Sequence, residues 1–535
     1  MANPPFRQVG DPHFGSAASS MVTSKHRPKE AGTRSRSGTL ASAGLPWPWA
    51  GLIALALGAQ LALIWTHVPW GDELQATALA RESHDLADWY WNFRYEGHAP
   101  LWHLLLKIPL AFTDDPTALK IVQSLAILCS AALIHLRAPF SPRVKFLLSL
   151  NYFLFFEYGV IARDYSLTIV FFFGAIAFRR QPLAWLFIAL LPQGGLQSVM
   201  FAGICGLIVL REQGWRPGGV LLAACGGAVA LIWMWPAADF ESLNSLRLAE
   251  PFLSRILRAA YLTGTTLLPV EYDLGLTGWE AAREPLLILT AGVVGPIYAI
   301  RYIGQQNRFS GLLTALFVLA NLCLSVAFYA IATRHFGLWI ILAIGMGWTT
   351  QEKGETPRGL APAWLLVLAL SGLGAGLRQT TAPFSTTLQT SQALRENGGL
   401  TTLIIPAYAL LGAEVNGILR IPTYDMAGEC LQTFVRWRRP VFMPPPFKEF
   451  VAQRDMENAA RRGLDAMKVV AAHAGGHALL FFDPQVGETI STLEDPALTF
   501  LRFIGKDSPY EQRRYLYRLD VPPDPKPAPI PTCAR

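Results

Sequence analysis

Residues 47–73 read WPWAGLIALALGAQLALIWTHVPWGDE, and no Asp, Glu, Lys or Arg interrupts the stretch before Asp72. At about 1.5 Å per helical residue, the run 47–65 is long enough to cross a hydrocarbon core of about 30 Å. It exceeds the roughly 7–15 residues of a signal-peptide core, so it reads as an uncleaved anchor. The 46 residues before it are rich in Ser, Gly and Pro and read as a disordered tail. That tail carries Arg7, Lys25, Arg27, Lys29, Arg34 and Arg36 against Asp11 and Glu30. Such a basic excess keeps it in the cytoplasm, with 67–98 outside.

The outer segment is acidic, with Asp72, Glu73, Glu82, Asp85, Asp88 and Glu96 against Arg81 and Arg94. The next apolar stretch, 100–112, is short and has Lys107 in its middle. A lysine at the bilayer centre costs roughly 2.5–3.5 kcal/mol, so this stretch is expected as an interfacial helix on the outer surface. The later basic loops then fall on the inner side: Arg137, Arg143 and Lys145; Arg179 and Arg180; Arg211 and Arg216; Arg301 and Arg308. Spans are expected at 47–65, 117–136, 146–161, 165–178, 218–236, 285–300, 311–331, 336–349 and 361–377. A hairpin at 183–191 and 196–210, broken at Pro192-Gln-Gly-Gly, brings the count to about eleven and leaves the C-terminus outside.

Composition agrees with a polytopic helical membrane bundle. Of the 535 residues, 52% are hydrophobic and 16% charged, where soluble domains carry roughly 25% charged residues. The net charge of +7 is dispersed, which excludes a nucleic-acid partner. No Cys/His spacing suggests a zinc site. The first 46 residues are thus a cytoplasmic tail, 47–377 the transmembrane domain with its first outer loop at 67–116, and 378–520 a small extracytoplasmic α/β domain. The last shows helical stretches at 387–397 and 454–472, with β-like runs at 401–405, 477–482, 498–504 and 514–518. Residues 521–535 form a Pro-rich tail expected to be mobile. Cys430 and Cys533 can pair only if this region is extracytoplasmic, and the tail around Cys533 weighs against the bridge.

Three polar motifs then fall on the same outer boundary: Gly71-Asp72-Glu73, the segment Glu96-Gly-His98-Ala-Pro-Leu-Trp-His103, and Ala162-Arg163-Asp164-Tyr165. Their order resembles the glycosyltransferase C superfamily, whose members include protein O-mannosyltransferases and the lipid A aminoarabinose transferase. The motifs occupy 70–167 of a resemblance covering roughly 47–350. It implies a multi-span bundle with interfacial helices, often followed by a soluble domain, and inverting transfer of a sugar from a polyprenyl-phosphate donor. Carried over residue by residue, it makes Asp72 the base, with Glu73 beside it. His98 stands where the family has its histidine, although Ala99 replaces the first proline of that element. Arg163, with Arg334 and His335 at the outer start of a later span, would hold the donor phosphate; Lys107 and Tyr165 complete the candidate set.

Such transfer needs a group that takes the acceptor's proton and cations that hold the phosphate as charge grows on it. Plainer roles exist for each residue. Asp72 and Glu73 suit a helix start, Arg163 and Arg334 suit anchoring to lipid headgroups, Lys107 suits snorkelling, and Tyr165 suits an interfacial aromatic. Gln193, Gln197, Glu271 and Asp273 are weaker candidates. Participation of Mg or Mn stays open, with Asp72, Glu73 and His98 placed to hold it. The expected function is periplasmic-face glycosyl transfer in a bacterial inner membrane, onto a lipid, glycan or protein acceptor. The competing class is a transporter or flippase of a lipid-linked glycan, which would instead need charged groups at the membrane midplane.

Overall fold

The structure, a computed structural model, describes residues 45–238, 240, 251–269, 285–328, 333–351, 361–407, 409–426, 428–436, 456–505, 514–527 and 529–533. The N-terminal tail, apart from Leu45 and Pro46, lies outside the described residues, as do Glu271 and Asp273.

The chain opens with the apolar helix α1 (Trp47–Thr66) and then three short helices, α2 (Gly71–Glu82), α3 (Leu86–Phe93) and α4 (Leu101–Leu110). Helix α4 buries Trp102, His103, Leu106 and Pro109, and leaves Leu104 and Ile108 exposed. Helix α5 (Asp115–Arg137) starts where Asp114 accepts a hydrogen bond from Thr117 N at 2.8 Å, with Pro116 in the first turn. Then come α6 (Pro142–Ser149), α7 (Tyr165–Ala177), α8 (Leu183–Leu190), α9 (Leu196–Gln213) and α10 (Pro217–Met234). The bundle continues with α11 (Phe252–Leu267), α12 (Pro285–Gln306), α13 (Arg308–Cys323), α14 (Thr333–Phe336), α15 (Leu338–Thr350) and α16 (Ala361–Thr381).

By length and composition, five described helical segments can cross a membrane alone: Trp47–Thr66, Asp115–Arg137, Pro217–Met234, Arg308–Ala327 and Ala361–Thr381. Helix α10 buries only Ala230, as a helix facing lipid does. Helix α16 runs past the expected boundary at 377, so the C-terminal region begins beyond Thr381.

The expected span at 146–161 is not one helix. Helix α6 stops at Ser149, a π-turn occupies Phe153–Glu157, and the chain then turns irregularly up to Asp164. Asn151 causes the break, its Oδ1 accepting from Phe153 N at 3.0 Å and Leu154 N at 3.4 Å. The carbonyls freed by the break are satisfied by buried amides from two neighbouring helices. Gln60 Nε2 donates to Leu154 O at 2.8 Å and Phe155 O at 2.9 Å; Gln123 Nε2 donates to Tyr158 O at 2.8 Å and Gly159 O at 2.9 Å. Irregular backbone at membrane depth survives only with such partners. Gly159 is required there, because a Cβ would meet Gln60 Nε2 at 2.1 Å.

Beyond α16 lie α17 (Thr387–Glu396), β1 (Leu403–Pro406), α18 (Ala409–Leu419), β2 (Thr423–Asp425), β3 (Cys430–Gln432), α19 (Met456–His473), β4 (His477–Phe482), α20 (Pro484–Ser491), β5 (Leu498–Ile504) and β6 (Arg514–Asp520). The sheet order is β1-β4-β6-β5, with β1 parallel to β4 and the other pairs antiparallel; β2 and β3 form a separate ribbon. The α/β reading therefore holds, with α18, α20 and the ribbon added. The tail is tied down rather than free. Val521 N donates to Gly476 O at 2.8 Å, Leu431 N to Pro531 O at 2.8 Å, and Cys533 N to Leu431 O at 2.9 Å. This pairing brings Cys533 beside β3, and Cys430 and Cys533 are joined in a disulfide, contrary to the expectation from the tail's composition. Proline disfavours regular strand but leaves extended backbone able to pair at a sheet edge.

The C-terminal region docks on α2. Gly71 lies against Leu410 and Glu414 of α18, where its added Cβ would stand 2.9 Å from Leu410 Cγ. The buried Asp115 carboxylate accepts from Arg81 Nη1 on one oxygen and from Arg420 Nη2, at 3.0 Å, on the other. Arg81 also donates to Asn416 Oδ1 of α18.

Replacing Gln123 with Leu leaves two buried carbonyls without their donor, a loss of about 1–3 kcal/mol. The expected outcome is a lower midpoint in thermal unfolding of the detergent-purified protein, while Leu125→Ala, at an exposed position of the same helix, barely moves it. Equal midpoints for wild type and Gln123→Leu would refute the bracing role.

Candidate active site

The first turn of α2 separates the two acidic residues that the sequence places side by side. Adjacent helical residues diverge by about 100°, so they face different surroundings. Glu73 is fully buried. Its Oε1 accepts from Ala162 N at 2.6 Å, and its Oε2 from His67 Nε2 at 2.8 Å and Trp70 N at 3.2 Å. The bond to Trp70 is the reach-back of an N3 carboxylate to the residue before the helix. Glu73 is thus a brace between α1, α2 and the irregular turn, and the expectation of a second reacting carboxylate beside Asp72 gives way to it.

Asp72 faces the other way. Its Oδ2 accepts from Arg163 Nη1 and, at 3.1 Å, from Arg334 Nη2. The three side chains keep 17%, 14% and 27% of their surface exposed, so the cluster is reachable. Arg163 sits in the turn that Glu73 fixes, and Arg334 in α14. The Arg334 guanidinium lies 5.5 Å from the Trp70 ring centre, and that of Arg163 lies 5.6 Å from that of Tyr165. Tyr158 donates to the Arg334 carbonyl. Tyr165 is buried and stands edge-on to His335, their ring centres 5.8 Å apart. Both therefore pack behind the arginines. Burial works to raise the Asp72 pKa, but Arg163 and then Arg334 outweigh it and hold the carboxyl below its ordinary range.

Two further carboxyls border the cluster. The Asp164 side chain is buried, and its Oδ2 lies 3.7 Å from His98 Nε2. His98 Nδ1 is turned to the Glu96 carbonyl at 2.9 Å. Gly195, in the left-handed region at φ +103°, closes this side; a Cβ there would come within 3.3 Å of Asp164 Oδ2. Glu96 accepts from Gln75 Nε2 at 2.5 Å. Burial, with a further push from the Asp72 charge, raises its pKa to about 8 against the effect of the Gln75 hydrogen bond. Burial, with His98 and Arg163 nearby, pushes His103 down to about 3, so it is neutral.

Several sequence candidates stand elsewhere. The Lys107 ammonium is turned to the end of α2, donating to Ala80 O at 3.1 Å and to Ser83 O. Gln193 is buried and donates to Gly226 O at 3.3 Å, while Gln197 is buried in α9. The groups placed to hold a divalent metal do not converge. Asp72 meets the arginines, Glu73 meets His67 and Ala162, and His98 meets Asp164. Among the described residues no three His, Cys, Asp or Glu groups are arranged to hold an ion. Sequence reasoning passed over Glu96, Asp164 and Gln75 as working groups, although the first two lay within the quoted motifs.

An almost wholly apolar cavity of about 390 Å³ lies between α6, α11, α12, α15 and α16. Its lining runs along α15 from Trp339 to Gly347, with Gln351 just past the helix end. Trp339 is five residues past Arg334, across the turn at Gly337 that separates α14 from α15.

No family model matches the chain, and no curated protein matches it. Two solved structures are similar to it. One is the crystal structure of ArnT from Cupriavidus metallidurans bound to undecaprenyl phosphate, with 14% identity over 90% of this chain and 99% of that chain and a TM-score of 0.39. The other is ArnT from the same organism in the apo state, at 13% identity over 88% and 98%, with a TM-score of 0.37.

The arginine cluster makes stability depend on acid. Because the folded-state pKa of Asp72 is depressed, its contribution is present above the unfolded value of about 4 and lost as pH falls through the folded value. The thermal midpoint of wild type should therefore drop more steeply below about pH 4 than that of Asp72→Asn. Parallel curves for the two proteins would contradict the pairing.

Proposed function

We propose that the chain transfers a sugar from a polyprenyl-phosphate-linked donor to an acceptor on the outer face of a bacterial inner membrane. The observation that carries this reading is the pair of guanidiniums, Arg163 and Arg334, converging on a single carboxylate oxygen of Asp72, in a bundle that also holds an apolar cavity. Two forked cations suit the oxygens of a phosphate. The cavity suits an apolar tail attached to it. The motif order at 70–167, resembling the glycosyltransferase C superfamily, points the same way. The disulfide supports an extracytoplasmic location for the C-terminal region.

The ion pairs give Asp72 two states. Without donor, it neutralises the arginines and is a weak base. When a donor phosphate takes the guanidiniums, Asp72 loses the cations that depress its pKa while staying partly buried, and its basicity rises. It then accepts the proton of the acceptor hydroxyl or amine as that atom bonds to the anomeric carbon. The arginines meanwhile stabilise the charge gathering on the departing phosphate.

Turnover of a radiolabelled polyprenyl-phosphate sugar mixture by purified protein in lipid, supplied with an acceptor-rich membrane extract, tests the reading. Asp72→Asn should retain donor binding and lose turnover by roughly 10²–10⁴-fold. Arg334→Ala should weaken donor binding itself. Equal turnover in wild type and Asp72→Asn would remove Asp72 as the base. No turnover by wild type, together with movement of the lipid-linked sugar across vesicles, would replace transfer by transport.

A further inference from the structure

Glu96 has no task in the reading above, yet its carboxyl is bonded to Gln75, which lies three residues after Asp72 on the same face of α2. Glu96 lies half-buried in the turn between α3 and α4, beside Gly97 at φ +70°. Its carboxyl is held by a chain of contacts leading to the C-terminal region. Gln75 Oε1 accepts from Val435 N at 2.8 Å, and Gln75 Nε2 donates to Val435 O at 2.8 Å and to Glu96 Oε1. The Val435 N–H fixes which way the amide points, so Gln75 must present a donor to Glu96. Val435 follows β3, which the Cys430–Cys533 disulfide ties to the tail, and Phe434 beside it packs with Leu74 and Trp89.

The charged and titratable groups facing the Glu96 carboxyl are Asp72 from α2 and Arg163 and Asp164 from the turn before α7, with His98 next along its own segment. Glu96 thus holds a proton at neutral pH while Asp72 is ionised. Two neighbouring carboxyls kept in opposite protonation states divide into an acid and a base. A phosphate at the arginines would add negative charge nearby and favour the protonated form further.

We propose that Glu96 is the general acid toward the leaving phosphate and that Gln75 is its positioning residue, an assignment that rests on the transfer reading above. The acceptor atom bonds to the anomeric carbon, the bond from that carbon to the phosphate oxygen breaks, and its electron pair stays on the phosphate. Glu96 gives its proton to the phosphate, and Asp72 takes the acceptor's proton. After release, the proton on Asp72 returns through water to Glu96. The net result is one proton moved from acceptor to polyprenyl phosphate.

The test is steady-state turnover against pH, with binding of polyprenyl phosphate measured in parallel, for wild type, Glu96→Gln, Glu96→Asp and Gln75→Leu. Wild-type kcat/KM should fall as pH rises through about 8, and kcat at a higher pH still, because the bound phosphate favours the protonated acid. Glu96→Gln should lower kcat on the order of 10²-fold with lipid binding retained, and should lose that alkaline fall. Glu96→Asp should recover part of both. Gln75→Leu removes a hydrogen bond that favours the carboxylate, so its alkaline fall should move to higher pH, a shift that mere loosening would not produce. If Glu96→Gln keeps wild-type kcat and profile while wild type turns over, the acid is overturned and the transfer reading stands. If wild type neither binds polyprenyl phosphate nor turns over, the transfer reading fails, and the assignment of Glu96 fails with it.

Discussion

The candidate site depends on the buried carboxylate of Glu73. By accepting the Ala162 N–H it joins the first turn of α2 to an irregular turn that no regular ladder supports. The same carboxylate receives His67 Nε2 from the end of α1 and the Trp70 N–H that begins α2. Three chain segments meet on two oxygens. A buried carboxyl of this kind is costly unless its oxygens have partners, and here donors reach both. The consequence is positional: with Ala162 fixed, Arg163 is delivered to Asp72, one residue away on the other side of the α2 turn.

The lipid environment explains the need for the amide braces. A span broken at Asn151 exposes carbonyls that a bilayer cannot satisfy, and Gln60 of α1 and Gln123 of α5 supply the missing donors. The break is what allows a polar turn, with Arg163 and Asp164, to stand at the end of the bundle. The C-terminal region acts on the same helix from outside. It grips α2 through Asn416 at its far end and against Gly71 at its start, and Arg420 reaches Asp115 at the start of α5. Helix α2 is thus held from both sides, by the irregular turn through Glu73 and by the C-terminal region through Asn416 and Gly71.

The sequence by itself determined the membrane class, most helices and the strands β1, β4, β5 and β6, because hydrophobic length and alternation are local properties written in consecutive residues. It also determined that Asp72, Arg163 and Arg334 belong to one end of the bundle, since charge bias orients each span. It could not separate Asp72 from Glu73, which are alike in composition and differ only in the direction each faces. Nor could it assign Lys107 to the end of α2, since that contact joins residues far apart in the chain. The Cys430–Cys533 bridge was hidden for the same reason: a proline-rich tail reads as mobile until the backbone pairing of Leu431 with the 531–533 segment brings the sulfurs together. What only the tertiary structure decided is which charges meet. Pairing in a low-dielectric site depends on directions and distances of a few ångströms, and linear spacing carries no record of them.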